Sequence, residues 1–73
     1  LNNKFDIVFL DPPFKDKNLN KFLLKLINFE ILNKNGVIII HRHKKEKDVF
    51  PKNFNILEEK TYGISKIIFG NYH

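Results

Sequence analysis

Seventy-three residues with no cysteine leave room for one small domain that no disulfide can staple, and they exclude metal sites built on thiolate. The net charge of +5 suits a nucleic-acid partner, although a composition dominated by lysine, asparagine and isoleucine also follows from A+T-rich codon usage. The apolar runs are far too short to span a membrane and no signal peptide opens the chain, so a soluble cytoplasmic protein is expected.

The first element is the apolar run Asp6 to Leu10, which reads as a parallel strand buried on both faces. It leads straight into Asp11-Pro12-Pro13-Phe14. Beyond that turn, Asp16 or Asn18 can cap a helix expected to reach about Leu32. Its buried face reads Leu19, Phe22, Leu23, Leu26, Ile27 and Ile31, with only Glu30 interrupting the series, while Lys17, Asn20, Lys21, Lys25 and Asn28 face water. Such a stripe is ordinary packing. Asn33-Lys34-Asn35-Gly36 is expected to end the helix, with Gly36 in the left-handed conformation, and Val37 to Ile40 then form a second strand.

Strand, helix and strand in that order imply a right-handed crossover and two parallel neighbours, so Asp11 and His41 open on the same edge of the sheet. Arg42, Lys44, Lys45 and Lys47 follow on that rim. Arg42, Lys44 and Lys45 are the candidates for contact with an RNA backbone, against the plainer reading of a solvated loop. His41 and His43 share a strand face, but no third ligand is clustered nearby and a zinc site wants three or four, so no metal is expected. Asn55 to Tyr62 and Ile64 to Phe69 meet at Gly63 as an antiparallel pair.

The chemistry concentrates in Asp11-Pro12-Pro13-Phe14, because ligands of open α/β sheets bind just beyond the carboxyl ends of the strands. Proline often ends a strand, and Asp before Pro is a common turn starter, so the tetrapeptide alone reads as a loop. Its place after a strand and before a helix changes that. A carboxylate at Asp11 and the Pro12 carbonyl can both accept hydrogen bonds from an exocyclic amine, two prolines fix the backbone, and Phe14 offers a ring to stack on a base. These residue types suit methyl transfer to a nucleobase amine.

Phe5-Asp6-Ile7-Val8-Phe9-Leu10-Asp11-Pro12-Pro13-Phe14, with the late Tyr62-Gly63-Ile64-Ser65-Lys66 and this order of elements, resembles the RsmD family of bacterial ribosomal RNA methyltransferases. The resemblance covers nearly the whole chain. It implies an α/β fold, the C-terminal half of a Rossmann-like domain that uses S-adenosylmethionine: fourth strand, helix, fifth strand and terminal hairpin. It also implies methylation of the N2 amine of a guanine in 16S rRNA of the small ribosomal subunit, by a protein monomeric at full length. By position, Asp11 would accept from the target amine, the Pro12 carbonyl would accept beside it, and Pro13 and Phe14 would bind the substrate base, Phe14 by stacking. The Asp-Pro-Pro-aromatic motif is shared with DNA amino methyltransferases and so identifies the chemistry alone, whereas Tyr-Gly-x-Ser-Lys narrows the family.

The scattered glycines Gly36, Gly63 and Gly70 make no cofactor-cradling loop, and the chain opens Leu1-Asn2-Asn3-Lys4 with no methionine anywhere. The expectation is therefore one partial domain over residues 1–73, with the main S-adenosylmethionine-binding residues upstream of Leu1 and no activity in this segment alone. Many relatives carry an acidic residue near the end of the fifth strand, where this chain has His41-Arg42-His43, which puts any contact made there in doubt. The alternatives are a non-catalytic RNA-binding module, a gene remnant, or an amino methyltransferase acting on DNA.

Overall fold

Phe5, Ile7, Val8 and Phe9 are strand formers, and in the computed structural model, which describes residues 4–12 and 18–72, they build strand β1 (Phe5–Leu10). Helix α1 (Leu19–Asn28) follows, then β2 (Leu32–His43), β3 (Asn55–Tyr62) and β4 (Ser65–Asn71). The four strands form one mixed sheet in the order β1-β2-β4-β3. The pair β1 and β2 is parallel, as the crossover requires, and β4 runs antiparallel to both β2 and β3. The expected hairpin is present, joined by Gly63, whose φ of 56° opens a two-residue turn. Its second strand inserts between β2 and β3.

The helix is shorter than its apolar periodicity predicts, ending at Asn28 and not at Leu32. Ile27, Asn28 and Phe29 are middling helix formers, and a tertiary contact wins at this point. Glu30 takes a left-handed φ of 50° to reverse the chain, and the Ile31 carbonyl then accepts from the Phe5 amide at 2.8 Å. Leu32 is fully buried and its amide donates to the Tyr72 hydroxyl at 2.9 Å. The second strand therefore starts at Leu32, five residues before the expected Val37. Ile31 lies outside the helix, and Phe22, also expected on the buried face, is exposed.

Gly36 is accordingly no helix stop. It sits inside β2, where the register with β1 is irregular: Phe5 pairs with Leu32, and the next pair is Ile7 with Val37. Asn33, in the intervening loop-out, donates from its side-chain amide to Asp6 at 2.7 Å. A Cβ on Gly36 would lie 2.5 Å from Leu32 Cδ1 and 2.6 Å from Cγ, so glycine is required by close approach and not by backbone angle. Gly36→Ala is expected to cost about 1–3 kcal/mol of stability by overpacking a fully buried leucine. A chemical-denaturation midpoint unchanged by the substitution would contradict that packing.

The core lies on one face of the sheet. Along β2 the inward series is Leu32, Ile38, Ile40 and Arg42, met by Leu10 from β1, Ile68 from β4, Leu19 and Leu23 from α1, and Phe54 from the loop before β3. Phe50 stacks on Phe54 with ring centroids 5.2 Å apart. Each such aliphatic side chain contributes about 1.5–3 kcal/mol through burial. The opposite face carries Ile7 and Phe9, exposed at 64% and 60%, beside Val37, Ile39, Ile67 and Phe69. The expectation that β1 is buried on both faces is thus corrected, because within the described residues a helix covers one face alone.

Candidate active site

Parallel pairing of β1 with β2 in the register Leu10 to Ile40 brings the next residues, Asp11 and His41, side by side at the carboxyl edge of the sheet. His41 belongs to the face opposite the core, since strand side chains alternate and Ile38 and Ile40 point inward. Asp11 Oδ1 lies 2.9 Å from His41 Nδ1. A carboxylate oxygen only accepts, so Nδ1 carries a proton and donates to Asp11. On the other side of the ring, His41 Nε2 lies 2.9 Å from the hydroxyl of Ser65, at the start of β4.

The three side chains border an open cleft of about 360 Å³, completed by Pro12, Arg42, His43 and Ile64. The Asp11 side chain is largely exposed. The amide of Lys44 donates to the Ile64 carbonyl at 2.8 Å, which ties the hairpin turn to the end of β2. Pro13 and Phe14, expected to bind the substrate base, lie outside the described residues, as does the helix-capping candidate Asp16.

Arg42 does not join the rim as an RNA contact. Its side chain is 1% exposed and turns into the core, where Nε and Nη2 donate to the two carboxylate oxygens of Asp48 at 2.9 and 2.8 Å. Glu46 stands 3.8 Å from the same guanidinium. A buried guanidinium paired at two nitrogens with one carboxylate is not presented to a phosphate. The basic surface is therefore carried by lysines: Lys44, Lys45 and Lys47 are exposed on the loop after β2, while Lys66 is drawn in, donating to the Glu46 carbonyl and facing Glu59 at 3.8 Å.

His43 Nδ1 accepts from the Lys45 amide at 3.1 Å, a local turn contact. Among the described residues no group of three or more His, Cys, Asp or Glu side chains could hold a metal ion, and no helix is long and apolar enough to cross a membrane. Sequence reasoning puts His41 on the same edge as Asp11 and reads it as a solvated or phosphate-facing side chain in preference to a metal ligand; what it misses is the contact of His41 with Asp11, and Ser65. Parallel register would have found the first; the second depends on β4 lying next to β2, which no local pattern announces.

A family profile described as Conserved hypothetical protein 95 matches residues 1–71. The chain is 34% identical over 59 residues to the ribosomal RNA small subunit methyltransferase D of Buchnera aphidicola and 37% identical over 60 residues to that of Haemophilus influenzae. These stretches take in 81% and 82% of this chain and 31% of each relative, so the chain spans about a third of their length. Among solved structures, a methylase from Haemophilus influenzae superposes with a TM-score of 0.78 at 32% identity, over 99% of this chain and 45% of that one. The half-sheet described above is thus the part-domain of a Rossmann-like methyltransferase fold. With the profile match running almost end to end and both relatives bearing the same name, the chain belongs to the RsmD family.

Proposed function

We propose that this segment is the acceptor-binding half of an S-adenosylmethionine-dependent methyltransferase that modifies the N2 amine of a guanine in small-subunit rRNA. The observation that carries the reading is Asp11-Pro12 at the carboxyl edge of β1, opening on a cleft with an exposed carboxylate oriented by a neighbouring histidine. The names of the curated relatives support rRNA as the substrate, and the exposed lysines of the 44–47 loop fit a phosphate backbone nearby.

The described residues fit the target side of this reaction and only the methyl end of the cofactor. Gly36 and Gly70 lie within strands and Gly63 in a hairpin turn, so none opens a helix to cradle a nucleoside. S-adenosylmethionine, when bound, supplies an electrophilic methyl group, and the new N–C bond forms as the S–C bond breaks with its electron pair left on sulfur. The task of this chain is to make a poor nucleophile attack. An aromatic amine delocalises its lone pair into the ring. Two acceptors, a carboxylate oxygen of Asp11 and the Pro12 carbonyl, can hold its two N–H groups so that the lone pair faces the methyl carbon. The positive charge that develops on nitrogen is then stabilised by the carboxylate, and once the N–C bond has formed one amine proton passes to water in the open cleft, restoring neutrality. The base must be unpaired or flipped out of its helix to reach the cleft.

The test uses the native polypeptide that carries this segment. Incubated with methyl-labelled S-adenosylmethionine and small subunits from cells lacking the modification, it is expected to label rRNA, and nucleoside digestion is expected to yield N2-methylguanosine. Label on adenine of DNA in a parallel incubation, with none on rRNA, would replace the substrate assignment. Salt-sensitive rRNA binding without transfer of label would favour a binding module.

A further inference from the structure

The Asp11–His41–Ser65 chain is an arrangement that the amine-binding role of Asp11 does not by itself require. Its connectivity resembles that of a serine nucleophile, but Ser65 is paired with His43 on one side and Tyr62 on the other. A serine held between two strands is not the exposed, strained elbow from which such a nucleophile attacks. Nor does the contact serve stability to any extent. The Asp11 and His41 side chains are 60% and 37% exposed, and pairs so exposed to water contribute little to folding.

What the contact does accomplish is geometric. A free carboxylate at a strand end rotates about χ1 and χ2 and offers either oxygen in many directions. With Oδ1 engaged by His41, the carboxylate plane is fixed and Oδ2 is left for a second donor. The ring is in turn held at its far nitrogen by Ser65, which is anchored in the sheet by its backbone. We propose that His41 is a positioning residue, held by Ser65, that orients the Asp11 carboxylate and reserves its second oxygen for the target amine. The proposal rests on the amine-binding reading of Asp11 given above.

It carries a spectroscopic signature independent of methyl transfer. In neutral histidine, donation from Nδ1 to Asp11 and acceptance at Nε2 from the Ser65 hydroxyl select the Nδ1–H tautomer. In nitrogen-15 histidine spectra of the native polypeptide at alkaline pH, His41 is expected as that tautomer, and Asp11→Ala is expected to release it. The Nε2–H tautomer in the unsubstituted protein, or a spectrum indifferent to Asp11→Ala, overturns the proposal whatever the enzyme methylates.

The kinetic arm uses the same polypeptide. His41→Ala is expected to lower kcat for rRNA by about tenfold to a hundredfold with KM for rRNA little changed, as expected for a misplaced reacting group. His41→Gln, which can still donate to Asp11, is expected to recover part of that loss. In an Asp11→Ala background, His41→Ala is expected to lower kcat no further, because it acts through the carboxylate. An equal loss in both backgrounds would assign His41 a separate role and overturn the proposal. The predicted tautomer in a polypeptide that transfers no methyl group would instead retain the relay and refute the proposed function.

Discussion

Asp48→Ala is expected to destabilise the fold by up to about 3–5 kcal/mol, because it takes from a buried guanidinium the carboxylate that meets it at two nitrogens and leaves Glu46 at 3.8 Å as the nearby acid. Among the described residues Arg42 is the one buried charged side chain of the core, and Asp48, at 7% side-chain exposure, supplies both oxygens of the pair. Small domains are stable by only about 5–15 kcal/mol, so a loss of that size removes a large share of the margin. Arg42→Met in the same chain as Asp48→Leu is expected to recover most of the loss, since apolar residues of similar volume often replace a buried ion pair without cost. Urea unfolding of the single and double variants checks both statements. If Asp48→Ala loses less than about 1 kcal/mol, the typical value of an exposed pair, the guanidinium must find water and the pair is not buried in solution.

Asp11→Ala has the opposite profile: it is expected to leave the fold intact and to lower kcat by about a hundredfold or more. Asp11 lies beyond the last hydrogen-bonded pair of β1 and is largely exposed, so its side chain contributes almost nothing to packing. Surface substitutions of that kind usually fall within about 0.5 kcal/mol of the parent. On the proposed function, its loss would remove the acceptor that orients the amine and balances the charge growing on it. Asp11→Asn keeps the shape but not the charge, and is expected to lose nearly as much. Single-turnover methylation of rRNA by the native polypeptide isolates the chemical step. A fall of less than about tenfold, equivalent to 1.4 kcal/mol, would remove Asp11 from the reaction.

The rim was legible because its determinants are local. An apolar run that stops at Asp-Pro-Pro ends a strand, and a helix between two strands forces them parallel, so Asp11 and His41 had to emerge on one edge. The end of the helix was not legible. Leu26, Ile27 and Ile31 continue a helical period, and only the hydrogen bonds from the Phe5 amide to the Ile31 carbonyl and from the Leu32 amide to the Tyr72 hydroxyl decide that the chain turns at Glu30. The place of Arg42 is obscured for a subtler reason. Counted among Lys44, Lys45 and Lys47 it belongs to a basic cluster, whereas counted by twos from Ile38 and Ile40 it faces inward, and Asp48 six residues on is the acid that makes this tolerable. Alternation along a strand outweighs composition along a loop. The exposed face of Ile7 and Phe9 escaped notice because a continuous apolar run is equally consistent with one covered face or two.

The polar chain across the cleft also links chemistry to the order in which the fold assembles. Asp11 and His41 are 30 residues apart and His41 and Ser65 a further 24, so the group that steadies the rim comes from a strand near the far end of the segment. Contacts of such sequence separation form late, after the entropy of closing long loops has been met. β4 must pair with β2 before Ser65 reaches the imidazole, and until then Asp11 stands on a complete parallel pair with an unsteadied carboxylate. A chain stalled at that stage would have its acceptor turn in place and its aim undetermined, so competence to react would report the docking of β4.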